Sequence, residues 1–229
     1  KTVLECGCGA GRFTEIFKGR QARLTSVDMS DAVSALQETF PQSDTLRIGQ
    51  ADILNLPFQP QQFDVVFCLG VIQHTPDPAV TIGRLFDQVK PGGALVIDHY
   101  GPWKLWWFRA APYIRMVLKR LSPERGMRAS EKLVRFFFPL QKKYRNVPPM
   151  RFLFKMLSPV SPHFEFPELS DQDLFEWALL DTHDAMTDWY KYRRSPKQIR
   201  QYLERAGAAD IEVWMGAENV EARALRAVD

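Results

Sequence analysis

Cysteine is scarce in this chain, with only Cys6, Cys8 and Cys68 among 229 residues. The count is odd, and two of the three stand one residue apart, too close and too few for a structural zinc site. Packed thiols in a reducing, cytoplasmic setting are the expectation. Long apolar runs are missing as well: nothing approaches the ~18 uninterrupted apolar residues of a membrane-spanning helix. No secretory leader is visible. The chain opens directly on a strand pattern, and whatever precedes residue 1 is outside this reading. Internal repeats and low-complexity segments are also lacking. What remains is a length sufficient for one sizeable core, or for one domain carrying a large insertion.

Charge is plentiful but unevenly placed. Residues 1–100 carry 8 basic and 11 acidic side chains, residues 101–160 carry 14 and 2, and residues 161–229 carry 8 and 14. The middle block is therefore +12 (14 minus 2) between acidic flanks, although the whole chain is only +3. Such a block needs its own explanation.

From Thr2 to about Tyr100 the pattern alternates strand and helix. Strands are expected at Thr2–Cys6, Leu24–Asp28, Thr45–Gly49, Phe63–Leu69 and Ala94–Tyr100, and helices at Phe13–Lys18, Asp31–Phe40 and Pro78–Val89. Strands apolar on both faces and separated by helices imply a parallel sheet covered on both sides. Pro91-Gly92-Gly93 reads as the turn into the fifth strand. Over 101–194 this rhythm stops. Trp103–Leu121 and Ala129–Arg145 look helical, with kinks expected at Pro112 and Pro139. Pro148-Pro149 and Pro159 to Pro167 mark loops, and Asp171–Leu180 resembles another helix. Ser195-Pro196 then opens a helix through Ala206, with serine as N-cap and proline in the first turn. Ala209–Met215 and Val220–Arg226 follow as a strand pair.

Four features fall at the carboxyl ends of successive strands. The first is Glu5-Cys6-Gly7-Cys8-Gly9-Ala10-Gly11, an acid followed by a turn whose glycines let backbone N–H groups approach a ligand. The second is Asp28, a carboxylate able to accept both hydroxyls of a ribose. Asp52, in Gln50-Ala51-Asp52-Ile53, is the third, and Phe63-Asp64-Val65-Val66-Phe67-Cys68-Leu69-Gly70 the fourth. With Val89-Lys90-Pro91-Gly92-Gly93 and the closing strand pair, this set resembles the class I S-adenosylmethionine-dependent methyltransferases over residues 2–100 and 195–226. A nicotinamide-binding domain is the rival, but the third glycine of its fingerprint would fall on Arg12, and it gives no reason for Asp52.

The resemblance implies an α/β fold: a Rossmann-like doubly wound sheet, mostly parallel with an antiparallel C-terminal strand, and a helical insertion acting as lid. Residues 1–100 and 195–229 would form the core, and 101–194 the insertion. It also implies S-adenosyl-L-methionine as cofactor, with S-adenosyl-L-homocysteine as product. Gly7, Gly9 and Gly11 would lie against its methionine portion, and Glu5 would orient that loop or reach the amino group. Asp28 would hold the ribose, with Met29 against the adenine face. Asp52 would accept from the adenine amino group while the Ile53 backbone supports the ring. The carbonyl of Leu69 or Gly70 would receive the methionine ammonium.

Methyl transfer to a hydroxyl requires a positioned acceptor and a group to take its proton. His74, just past the fourth strand, is one candidate, though related enzymes often use a histidine there to shape the loop. His99 ends the fifth strand, and its facing depends on register. The densest polar cluster runs from Asp181 to Tyr190. There His183 and Asp184 offer a base with an orienting carboxylate, and a capped turn anchoring the lid is the plainer alternative. Acids and histidines this close also arise in ordinary turns, and no metal site is expected. The basic aromatic block admits three readings: a helical lid, a surface for anionic lipid, or a nucleic-acid surface. Its apolar runs, Leu105-Trp106-Trp107-Phe108 and Phe136-Phe137-Phe138, are expected to bury. Methyl transfer to a small-molecule or lipid-like acceptor, at oxygen, is the reading favoured. Peripheral contact with an anionic membrane ranks ahead of nucleic-acid methylation, and a non-catalytic cofactor-binding platform is the remaining alternative.

Overall fold

The computed structural model describes residues 1–17, 22–102, 108–217 and 219–228. In chain order its elements are β1 (Thr2–Cys6), β2 (Arg23–Asp28), α1 (Ala32–Thr39), β3 (Leu46–Gln50), β4 (Phe63–Cys68), α2 (Pro78–Asp87) and β5 (Val89–Tyr100). They continue with α3 (Ala111–Leu118), α4 (Pro123–Lys143), α5 (Pro148–Leu157), α6 (Asp171–Thr187), α7 (Pro196–Arg205), β6 (Ala209–Met215) and β7 (Asn219–Leu225). Two compact units result: Lys1–Pro102 with Tyr190–Asp229, and Trp103–Trp189.

The first unit is a seven-stranded sheet in the order β3-β2-β1-β4-β5-β7-β6, with β7 antiparallel to both neighbours. The chain winds outward from β1 in one direction and from β4 in the other. A crevice therefore opens at the carboxyl ends of these two strands, where open α/β sheets take their ligands. Leu4, Val66, Leu95 and Ile97 from the strands bury against Ile82, Leu85 and Phe86 of α2 and Ile199 and Leu203 of α7. Both helices begin as their sequences dictate. Asp77 accepts the N–H groups of Ala79 and Val80 ahead of α2. Ser195 and Gln198 form a reciprocal capping box ahead of α7. The three thiols are buried, and each is a free cysteine.

The second unit packs α4 against α6 through Val134, Phe138, Val160, Leu174 and Ala178. Gly126 allows a close approach, because a Cβ there would stand 2.9 Å from Thr187 Cγ2. Buried Arg115 on α3 donates to the carbonyls of Ala185 (2.9 Å) and Asp188, closing the C-terminal end of α6. Among the described residues, no helix is long and apolar enough to cross a membrane.

Several local expectations change. The helix expected at Phe13–Lys18 is a 3-10 turn over Thr14–Phe17, and Lys18 lies outside the described residues. Pro91-Gly92-Gly93 is a bulge inside β5 rather than a turn before it: pairing with β4 jumps from Phe63–Val89 to Val65–Ala94. Pro148 starts α5 instead of marking a loop, as Pro123 starts α4, since the first helical turn has no use for the missing N–H. α4 runs on past Pro139 to Lys143. The second aromatic run buries only in part, with Phe138 6% and Phe136 62% exposed. Of the first run, Leu105, Trp106 and Trp107 lie outside the described residues, and Phe108 is exposed.

Candidate cofactor-binding site

β1 delivers Glu5 to the crevice at 1% exposure. Its Oε2 accepts the hydroxyls of Thr14 and Ser26, each at 2.6 Å. Oε1 is equally buried and has no partner. Burial raises the Glu5 carboxyl above its ordinary value, the two hydroxyl donors work against that, and nearby Asp28 adds to it. An unsatisfied buried carboxylate oxygen costs roughly 1–3 kcal/mol, so a donor supplied by a bound cation or its water would fit here.

The glycine turn follows at once. The N–H groups of Gly7 and Cys8 both donate to the Val27 carbonyl, at 2.7 and 3.1 Å. Gly7 has φ +81°, and a Cβ there would lie 2.2 Å from Val71 Cγ2, so both conformation and space demand glycine. Gly11 is held in the same way, its missing Cβ ceded to Leu36 Cδ1 at 2.3 Å. Gly9 differs: a Cβ would meet nothing within 4 Å, so its face is open to an incoming ligand.

Asp28 closes β2 beside this turn. One carboxylate oxygen accepts the Gly9 N–H at 2.8 Å, and the other takes the Ser30 N–H and hydroxyl at 2.8 and 2.7 Å. Met29 follows, 71% exposed. After β3, Asp52 is held by the Leu54 N–H and the Asn55 side chain, with Ile53 half-buried beside it. After β4, Leu69 is half-buried and Gly70 is exposed at φ +77°. The first unit thus brings Glu5, the turn and Asp28 together, with Asp52 and Gly70 at the ends of flanking strands. These groups suit a nucleoside cofactor with a cationic amino-acid arm: carboxylates for hydroxyl and amine donors, an open glycine face, and a buried acceptor lacking a donor. A hollow of about 550 Å³ lined by Thr2, Arg23, Lys90 and others lies at the amino ends of the strands, away from this chemistry.

Sequence reasoning missed Asp98. It accepts the Gly70 N–H at 2.6 Å and the Asn219 amide at 3.1 Å, and burial holds its carboxyl above the usual range. The signal was present, since period-two alternation sends Asp98 to the face opposite Leu95, Ile97 and His99. His99 accordingly turns into the core. Its Nδ1 lies 3.0 Å from the Tyr100 carbonyl, and burial pushes its pKa down to about 4. Also missed was the segment at 190–194. Tyr192 N–H donates to the Gln73 carbonyl at 3.0 Å and Arg194 N–H to that of Tyr100 at 2.9 Å. His74 belongs to this anchorage, its Nδ1 3.3 Å from the Tyr190 carbonyl and its ring edge-on to Tyr100.

In the second unit the polar cluster is helical rather than a turn: Asp181, His183 and Asp184 stand on the last turns of α6. Consecutive helical positions diverge by about 100°, which works against His183 and Asp184 acting as a hydrogen-bonded pair. His183 lies over Gly126 of α4, and its Nδ1 is buried without a partner, while Asp184 is exposed.

Residues 4–97 match the family model described as a methyltransferase domain. The chain is 36% identical over 96 residues to a ubiquinone biosynthesis O-methyltransferase of Pseudomonas fluorescens, 41% of either protein. It is equally similar over 101 residues to that of Pseudomonas paraeruginosa, 43% of this chain and 44% of the relative. The chain thus spans about two-fifths of the length of these curated relatives. A solved S-adenosylmethionine-dependent methyltransferase of Methanosarcina mazei superposes with a TM-score of 0.56 at 13% identity, covering 100% of this chain and 93% of that one. Human N-acetylserotonin methyltransferase in complex with its cofactor gives 0.54 at 13% identity, over 99% of this chain and 48% of that one. These two share the fold. Residues 4–97 are thus similar to a methyltransferase domain, on a sheet that shares the fold of these two solved enzymes.

Proposed function

We propose that this protein transfers a methyl group from S-adenosyl-L-methionine to the oxygen of a small-molecule or lipid-like acceptor. The observation that carries the reading is the buried, donorless Glu5 Oε1 beside an open glycine face at the carboxyl edge of the sheet. The names of the curated relatives support oxygen as the methylated atom. The cofactor supplies a sulfonium-bound methyl, an electrophile open to in-line displacement. Glu5 and the Leu69–Gly70 backbone would receive the ammonium, Asp28 the ribose hydroxyls, and Asp52 the adenine amino group. Asp98 would fix the Gly70 turn through its N–H. The acceptor's proton would pass to the imidazole of His183 or of His74.

Calorimetric titration with S-adenosyl-L-homocysteine is the direct test, followed by transfer of labelled methyl to a panel of phenols and catechols. Micromolar binding and labelled ether products are expected. Absence of binding would leave a platform without catalysis, and label entering nucleic acid instead would move the acceptor class.

A further inference from the structure

α5 is an amphipathic helix that buries none of its residues. Phe152, Leu153 and Leu157 are 62, 43 and 50% exposed; helical positions put Leu153 and Leu157 on one side and Arg151 and Lys155 on the other, with Phe152 at the boundary. α3 shows the same inversion. Its inner face holds Ala111, Arg115 and Leu118, while Tyr113, Met116 and Val117 are 57, 53 and 62% exposed on the outer one. The two helices meet, since the Ala110 N–H at the start of α3 donates to the Met156 carbonyl at the end of α5, at 2.8 Å. Two outward apolar faces therefore adjoin within a region that, over 101–160, carries 14 basic and 2 acidic residues.

Among the described residues, packing within the unit does not explain this arrangement, because the cores there draw on α3, α4 and α6 without a buried residue of α5. A soluble monomer rarely leaves such adjoining apolar faces uncovered. We infer that α3 and α5 form a docking surface for an anionic lipid bilayer, with the aliphatic and phenyl side chains entering the headgroup boundary and the cations resting on lipid phosphate.

Charge complementarity selects the occupant. A second copy of this chain would set +12 blocks against each other, whereas an anionic bilayer neutralises them. Single-stranded nucleic acid would also answer the charge, but it binds through flat rings on which bases stack. Tyr113 and Phe152 offer two such rings, but the aliphatic Met116, Val117, Leu153 and Leu157 that make up the rest of the surface do not. They suit shallow insertion of an apolar face into the interface. The surface stands on the second unit alone and does not rest on the methyl-transfer reading. Where both hold, the acceptor is one reached from the bilayer.

The test is co-sedimentation of the whole protein with phosphatidylcholine vesicles, with and without phosphatidylglycerol. Binding is expected only with phosphatidylglycerol, and it should fall steeply as salt is raised. Arg151→Glu with Lys155→Glu, and separately Leu153→Glu with Leu157→Glu, should each weaken it at least about tenfold while the circular dichroism spectrum and melting temperature stay unchanged. No pelleting of the parent protein, or equal pelleting of the parent and both double variants, would overturn the inference. So would tighter binding to a single-stranded oligoribonucleotide than to the vesicles. A dimer in solution that Leu153→Glu with Leu157→Glu dissolves would assign the face to a second copy instead.

Discussion

Gly9 donates its backbone N–H to the Asp28 carboxylate at 2.8 Å, so the glycine turn after β1 is tied to the end of β2 before any ligand arrives. The acid expected to read the ribose also braces the loop beside it. Pre-ordering of this kind lowers the cost of binding, since the loop does not have to be immobilised by the cofactor.

Asp28→Ala should therefore lower affinity for S-adenosyl-L-homocysteine by at least about tenfold, through loss of charge-assisted hydrogen bonds and of the brace together. The fold should survive, because the lost bonds lie in a half-buried turn and not in the core. Calorimetry with a parallel melting curve separates the two effects. Unchanged affinity would contradict the ribose assignment.

Glu5 has a raised carboxyl pKa in the folded chain because it is buried. The stability this gives is fully present below the unfolded value, near 4.5, and is lost as pH rises through the folded value. Glu5→Gln keeps an acceptor for Thr14 and Ser26 but cannot ionise. Its ligand-free melting temperature should decline less than the parent's as pH rises above 4.5. Parallel curves across that range would show that Glu5 is not the titrating group.

The sign reverses for His99, whose pKa is pushed below 6.5 to about 4. Its neutral form belongs to the folded state, so the stability it contributes is present above pH 6.5 and lost as pH falls toward 4. His99→Phe should lose less stability than the parent on acidification across this window, as read by urea unfolding at a series of pH values. An identical acid limb in both proteins would refute the assignment.

Gly126→Val would drive a branched side chain into Thr187, whose Cγ2 already stands 2.9 Å from an added Cβ. Overpacking of this kind costs about 1–3 kcal/mol. The damage should fall on the helical unit, with the α4–α6 contact loosened. Hydrogen exchange should show faster opening of α4 and α6 and little change in the sheet. Uniform loss of protection across both units would argue against so local an effect.

His183→Ala should slow methyl transfer more than it weakens binding of S-adenosyl-L-homocysteine, if its imidazole takes the acceptor's proton. His74→Ala provides the contrast. With its ring packed on Tyr100 and at the Tyr190 carbonyl, its loss should disturb the loop and raise KM for the acceptor. Full activity in His183→Ala would leave His74 as the candidate.

What the chain declares on its own is whatever depends on short range. Two-sided apolar strands such as Val3–Cys6 and Val65–Cys68, the glycine spacing after Glu5, and acids at strand ends made the sheet and the cofactor face readable, since strand pleat and turn sterics are local. Proline was ambiguous: Pro148 starts a helix where a loop was expected, because the first helical turn tolerates the residue that an interior rejects. Tertiary structure alone decided facing. Alternation separates Asp98 from His99, but only tertiary packing turned His99 inward and Asp98 toward Gly70. Only packing showed that Phe138 buries while Phe136 and the α5 face do not. A side chain's environment is set by partners distant in sequence, and no local pattern encodes which of them will arrive.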